Sequence, residues 1–111
     1  RGVLVGSIYA RPALRGPAEA VAETRALRDA AGFAQTLRAG LNVNVTEDVA
    51  EVPVTIGWGT KDRLLLPRQA DRARLRLPTA RVVPLPGCGH VPMNDDPELV
   101  ARIVLEGSKD L

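Results

Sequence analysis

Between Val52 and Glu106 two short β-branched runs alternate with two helical patterns, and few architectures accept that order. Val52 to Trp58 (VPVTIGW) is closed by Gly59 and reads as a strand buried on both faces. From Leu66 to Leu77 the apolar Leu66, Ala70, Ala73 and Leu77 fall within about 60° on a wheel of ~100° per residue, with Arg68 and Arg72 opposite. That spacing predicts an amphipathic helix over Pro67 to Leu77. Pro78 ends it, and Ala80 to Leu85 (ARVVPL) reads as a second strand. Asp96, Pro97 and Glu98 then supply an N-cap, a first-turn proline and a first-turn acid for a last helix, whose buried side is Leu99, Val100, Ile103 and Val104. A βαβα unit of this kind places its strands in parallel, joined by a right-handed crossover. The expected class is therefore α/β. Both loops leaving the strands, 60–65 and 86–91, open on one sheet edge, where open α/β sheets bind ligands.

The first 48 residues have a different rhythm. Pro17 suits the first position of a helix, Ala18 to Ala30 is rich in strong helix formers, and Gly32 can stop it. Phe33 and Leu37 share one face of a second short helix that ends at Gly40. Residues 1–9 (RGVLVGSIY) fit a strand or one side of a helix, and we favour the helix; 42–51 is a polar connection. No repeat or low-complexity tract interrupts the chain. Its 111 residues support one core at most, and with single Tyr9, Phe33 and Trp58 that core must be built from Ala, Val and Leu. The expected division is a helical segment over 1–48 and the βαβα unit over 49–111.

Several function classes drop out on composition. Fifteen basic against thirteen acidic residues leave +2, too small a balance to call for a nucleic-acid or membrane partner. The apolar runs are far short of the ~20 residues of a membrane span. Cys88 is the one cysteine, so no disulfide forms within the chain, and a reducing, cytoplasmic setting is expected. The chain opens on Arg1 without a secretory signal pattern and reads as a fragment.

The two loops at the predicted edge carry Asp62 and His90, the single histidine. Neighbouring strands lie ~4.8 Å apart, close enough for the carboxylate to meet the imidazole. An acid bound to one ring nitrogen fixes the tautomer and stabilises the imidazolium formed when the other nitrogen takes a proton. Gly87 and Gly89, on either side of Cys88, allow the tight turn that aims such a side chain. On the residues alone, two readings stay open: an acid–base pair, or an unremarked histidine on a turn.

Rival sites are weaker. Cys88 as a nucleophile would have to fold back onto a histidine two positions away, and a small buried side chain is the simpler reading. Cys88, His90 and Asp95 fall short of the four ligands of a closed zinc site, and no metal or other cofactor is expected. Arg63, Arg68, Arg72, Arg74, Arg76 and Arg81 read as a solvated surface, since no aromatic residues interleave with them. Trp58 reads as packing at a strand end, and Asp95–Asp96 as a helix cap rather than a pair of catalytic carboxylates.

The stretches PVTIGWGTKDRLLLP and VVPLPGCGHVPMNDDPELVARIVLE together resemble the carboxyl-terminal end of the α/β-hydrolase superfamily. There, a penultimate strand ends in a loop bearing the triad acid, and the last strand is followed by a G-x-G-H-type turn and a final helix. The resemblance covers Val52 to about Glu106 and implies that Asp62 is the triad acid and His90 the base. It implies that 1–48, with AGFAQTLRAG, is a helical lid, and that 49–111 belongs to the hydrolase core. The fold expected is thus a partial α/β-hydrolase fold.

The nucleophile is missing from this pattern. A G-x-S-x-G elbow belongs upstream of the lid, and neither Ser7 in VGSIY nor Ser108 beyond the last helix occupies one; the oxyanion-hole glycines are absent as well. The resemblance then implies hydrolysis of a small ester-like substrate by Ser-His-Asp acyl transfer, with the serine on an amino-terminal half that partners this chain and the chain alone inactive. Two other expectations stand beside it: an aspartate-nucleophile relative such as an epoxide hydrolase or dehalogenase, and a non-catalytic remnant or interaction module.

Overall fold

The computed structural model describes residues 7–40, 49 and 51–110. The helical reading of the first nine residues is met at Ser7 and Ile8, which are helical, and its remainder lies outside the described residues. So does most of the polar connection at 42–51. A 3-10 turn at Pro12–Leu14 leads into α1, Pro17–Asp29, and α2, Phe33–Gly40. Pro17 opens α1 as expected, and the Glu19 carboxylate reaches back to accept the Gly16 N–H at 3.0 Å, so an orphan donor at the helix start is satisfied. Neither helix buries a residue, and Phe33 and Leu37 on α2 remain exposed.

The second half has the anticipated order: β1 at Thr55–Gly59, α3 at Arg68–Arg76, β2 at Arg81–Leu85, a four-residue α4 at Pro92–Asp95, α5 at Pro97–Gly107, and a 3-10 turn at Ser108–Asp110. The strands pair in parallel, in register from Thr55 opposite Arg81 to Gly59 opposite Leu85. Strand β1 starts later than the expected Val52 because its partner begins only at Arg81, after the turn at 78–80, and the first pairing is the Arg81 N–H to the Val54 carbonyl at 2.9 Å. Asp96 caps α5, accepting the Leu99 N–H at 2.9 Å, with Pro97 at the first helical position.

The strands are not buried on both faces. Thr55, Gly57, Arg81 and Pro84 are exposed, and only Gly59 and Leu85, at the carboxyl ends, are fully buried. Among the described residues each strand has only the other as ladder partner. Opposite Thr55, Gly57 and Leu85, the α5 residues Val100, Ile103 and Val104 line an open groove of about 400 Å³. The expected buried side of α5 is correspondingly only half covered, with Val104 63% exposed, and Leu66 beside α3 is exposed as well. The best-buried apolar residues, Ala70, Leu85 and Cys88, include two that sit where the second strand turns into its loop. Packing is therefore densest at the carboxyl edge of the sheet. No helix among the described residues is long and apolar enough to cross a membrane.

Candidate active site

The loops leaving β1 and β2 are knitted together by their backbones. Thr60 N–H reaches the Leu85 carbonyl at 3.1 Å, Lys61 N–H reaches that of Cys88 at 2.9 Å, and the Thr60 hydroxyl accepts the Gly87 N–H at 2.9 Å. Gly87 has φ +74°, a conformation that L side chains rarely adopt, and it starts the turn towards His90.

This knitting brings Asp62 and His90 together. Asp62 Oδ2 lies 3.0 Å from His90 Nδ1. The Asp62 side chain is 6% exposed and that of His90 32%. The other carboxylate oxygen, Oδ1, accepts the N–H groups of Leu64 and Leu65, each at 2.9 Å, so the acid folds its own loop as an Asx-type turn. Trp58 locks the same loop: its indole Nε1 donates to the Leu65 carbonyl at 3.0 Å, while the ring, with Leu65 and Pro92, walls a hollow of about 150 Å³ that Asp62 and His90 also line. The packing role expected for Trp58 is present, and so is a place on the wall of the site.

An ionised carboxylate only accepts hydrogen bonds, so a proton on Nδ1 satisfies the Asp62 contact and leaves the Nε2 lone pair as the basic end of the imidazole. The arrangement can take a proton from a group placed in the hollow and hold the resulting imidazolium against a nearly buried carboxylate.

The other candidates are separated from this chemistry. Cys88 is 1% exposed, its Sγ contacts the Pro86 carbonyl at 3.7 Å, and burial, with Asp95 and Asp96 nearby, pushes the thiol up from its ordinary value. A thiol so held is a poor nucleophile. Ser108 donates to the Leu105 carbonyl at 3.0 Å and borders the groove beside α5, away from the hollow. Arg63, Arg68, Arg72, Arg74, Arg76 and Arg81 are all exposed, and Arg81 meets Glu106 at 3.4 Å. Of the acidic pair, Asp96 is the cap; Asp95, 2% exposed, has a different role. Its Oδ2 accepts the N–H groups of Gly89 at 2.7 Å and Ala10 at 3.0 Å, and its Oδ1 that of Arg11 at 2.7 Å. Sequence reading merges Asp95 into the cap, because its donors come from backbone up to 85 positions away.

This chain belongs to the α/β-hydrolase family, whose pattern matches residues 3–103. Among curated relatives it is similar to proteins from Mycobacterium bovis and from the CDC 1551 and H37Rv strains of Mycobacterium tuberculosis, all named only as uncharacterised. Each is 37% identical over 82 residues, which is 67% of this chain and 24% of the relative, so the match spans about a quarter of their length. No solved structure matches.

Proposed function

We propose that this chain is the lid and carboxyl-terminal part of a hydrolase that cleaves a small ester-like substrate by acyl transfer to water. His90 acts as general base and then general acid, and Asp62 orients it and stabilises its charged form. The observation that carries this reading is the 3.0 Å contact between His90 Nδ1 and Asp62 Oδ2 at the carboxyl edge of two adjacent parallel strands. The serine nucleophile and oxyanion donors come from the rest of the fold, residues 1–48 serve as the lid, and the free, buried Cys88 fits a cytoplasmic setting.

The ladder supports a place for the rest of the sheet beside β1. Bonds from Arg81 N–H to Val54 and from Thr60 N–H to Leu85 turn the backbone groups of 81, 83 and 85 towards β1. Pro84, which has no N–H, therefore faces outward from β2, as suits a terminal strand. The outward side of β1 carries the donors and acceptors of Thr55, Gly57 and Gly59, and this is where further strands add.

The test uses the full-length protein carrying this chain and a short-chain activated ester. Turnover is expected, with His90→Ala removing nearly all of it, while the 111 residues alone give none above background. Turnover that survives His90→Ala would overturn the reading. His90-dependent turnover of an epoxide or haloalkane, without ester hydrolysis, would move the nucleophile to an aspartate.

A further inference from the structure

The buried carboxylate of Asp95 takes no part in the proposed chemistry, yet it accepts three backbone N–H groups. It grips Gly89, the residue before His90, and the Ala10–Arg11 backbone; the Arg11 guanidinium returns to the Asp95 carbonyl through Nη1 at 3.2 Å. Further back along that backbone, the Ile8 carbonyl accepts the N–H groups of His90 at 2.8 Å and Val91 at 3.1 Å. The histidine turn is thus held from both sides, by Asp95 directly and by the 8–11 strap that Asp95 itself fastens. The fit leaves no slack, since a Cβ on Gly89 would lie 2.6 Å from Ala10 N and 2.9 Å from the Ile8 oxygen.

We propose that Asp95 is a positioning residue, clamping Gly89 to the 8–11 strap so that the His90 imidazole stays in its Asp62-bonded orientation and tautomer. For catalysis this rests on the reading of His90 as general base; the geometric part stands on its own. Both Asp95 oxygens accept N–H groups. An asparagine must therefore aim an NH2 at a backbone N–H, whereas a glutamate keeps two acceptors at the cost of one methylene.

The test compares Asp95→Asn and Asp95→Glu in the full-length protein. A misplacement on the order of 1 Å far from the reacting atoms is worth about 10²-fold. For Asp95→Asn we expect kcat on the activated ester to fall by about that factor, with KM little changed. The ¹⁵N signals of the His90 imidazole, identified by their loss in His90→Gln, report the tautomer without any substrate. They are expected to move from the Nδ1-protonated form towards a mixture in Asp95→Asn. Asp95→Glu should restore more of both readouts than Asp95→Asn, although asparagine is the closer match in volume. An unchanged tautomer in a folded Asp95→Asn protein overturns the proposal, as does loss of the cooperative melt in both variants, which would make Asp95 a folding determinant. If the unsubstituted protein turns over no ester, the hydrolase reading fails and the tautomer alone decides the role of Asp95.

Discussion

Replacing Asp62 by asparagine tests the dyad with almost no change of shape, and the structure dictates which way the new amide turns. Asp62 Oδ1 holds the N–H groups of Leu64 and Leu65, both at 2.9 Å, while Oδ2 faces His90 Nδ1 at 3.0 Å. With its oxygen in the Oδ1 position the amide keeps both loop bonds. The reverse orientation opposes NH2 to two backbone donors, each costing roughly 1–3 kcal/mol when buried and unsatisfied. The loop therefore wins, and the NH2 of the introduced amide points at His90. Nδ1 must then accept, the proton moves to Nε2, and the nitrogen that should take a proton from the nucleophile already carries one. The corresponding change in a serine protease costs ~10⁴ in kcat, which is about 5 kcal/mol of transition-state stabilisation. A loss of that order in kcat/KM is expected for Asp62→Asn in the full-length protein, with the fold intact by circular dichroism because the Asx-type turn survives. A folded variant whose kcat/KM stays within about tenfold of the parent would refute the tautomer argument, since the expected loss of about 5 kcal/mol comes from the misplaced proton alone.

Two further outcomes follow from residues outside the dyad. Asp96→Ala removes the side-chain cap of α5 and should lower stability by about 1 kcal/mol in denaturant melts, leaving kcat unchanged. Cys88, whose thiol is held up by burial, should react slowly with thiol reagents at neutral pH; because the folded state favours the protonated form, its contribution to stability is intact below the ordinary thiol range of ~8.5 and is lost as the pH rises through the raised folded value. Denaturant midpoints across that range for Cys88→Ala against the parent check the sign: the parent should lose the extra stability, and the variant should not.

The βαβα order is legible in the sequence because it rests on local signals: β-branched runs, an amphipathic spacing, Pro78 as a stop and Asp96–Pro97 as a start; the meeting of Asp62 with His90 follows only once the two strands pair side by side in parallel. The burial of the strands is not, since a run such as VTIGW reports what a strand is suited to bury and not what covers it. Thr55 and Gly57 stay exposed beside an open groove. Asp95 escapes sequence reading for a related reason: its neighbour Asp96 and Pro97 explain the acidic pair locally, while two of its three backbone donors, those of Ala10 and Arg11, are distant in sequence. The packing role of Trp58 can be read from its place at a strand end. Its bond to the Leu65 carbonyl, which ties the acid loop to that end, depends on a loop conformation that residue types alone do not specify.

The uneven burial has a consequence for how the site is held. The groove beside α5 is open and neither α1 nor α2 has a fully buried residue, yet the ground under the dyad is closed by Leu85, Cys88, Asp62 and Asp95, all below one-tenth exposed. The two loops share backbone bonds across Thr60, Lys61, Leu85 and Cys88, and a second set runs from Ile8, Ala10 and Arg11 to the histidine turn. Orientation of the imidazole is therefore set by short-range hydrogen bonds at the sheet edge, laid over the buried Leu85 and Cys88. Two substitutions should separate stability from turnover: loss of the α5 cap lowers stability without touching turnover, while Asp62→Asn removes turnover from a protein that still folds.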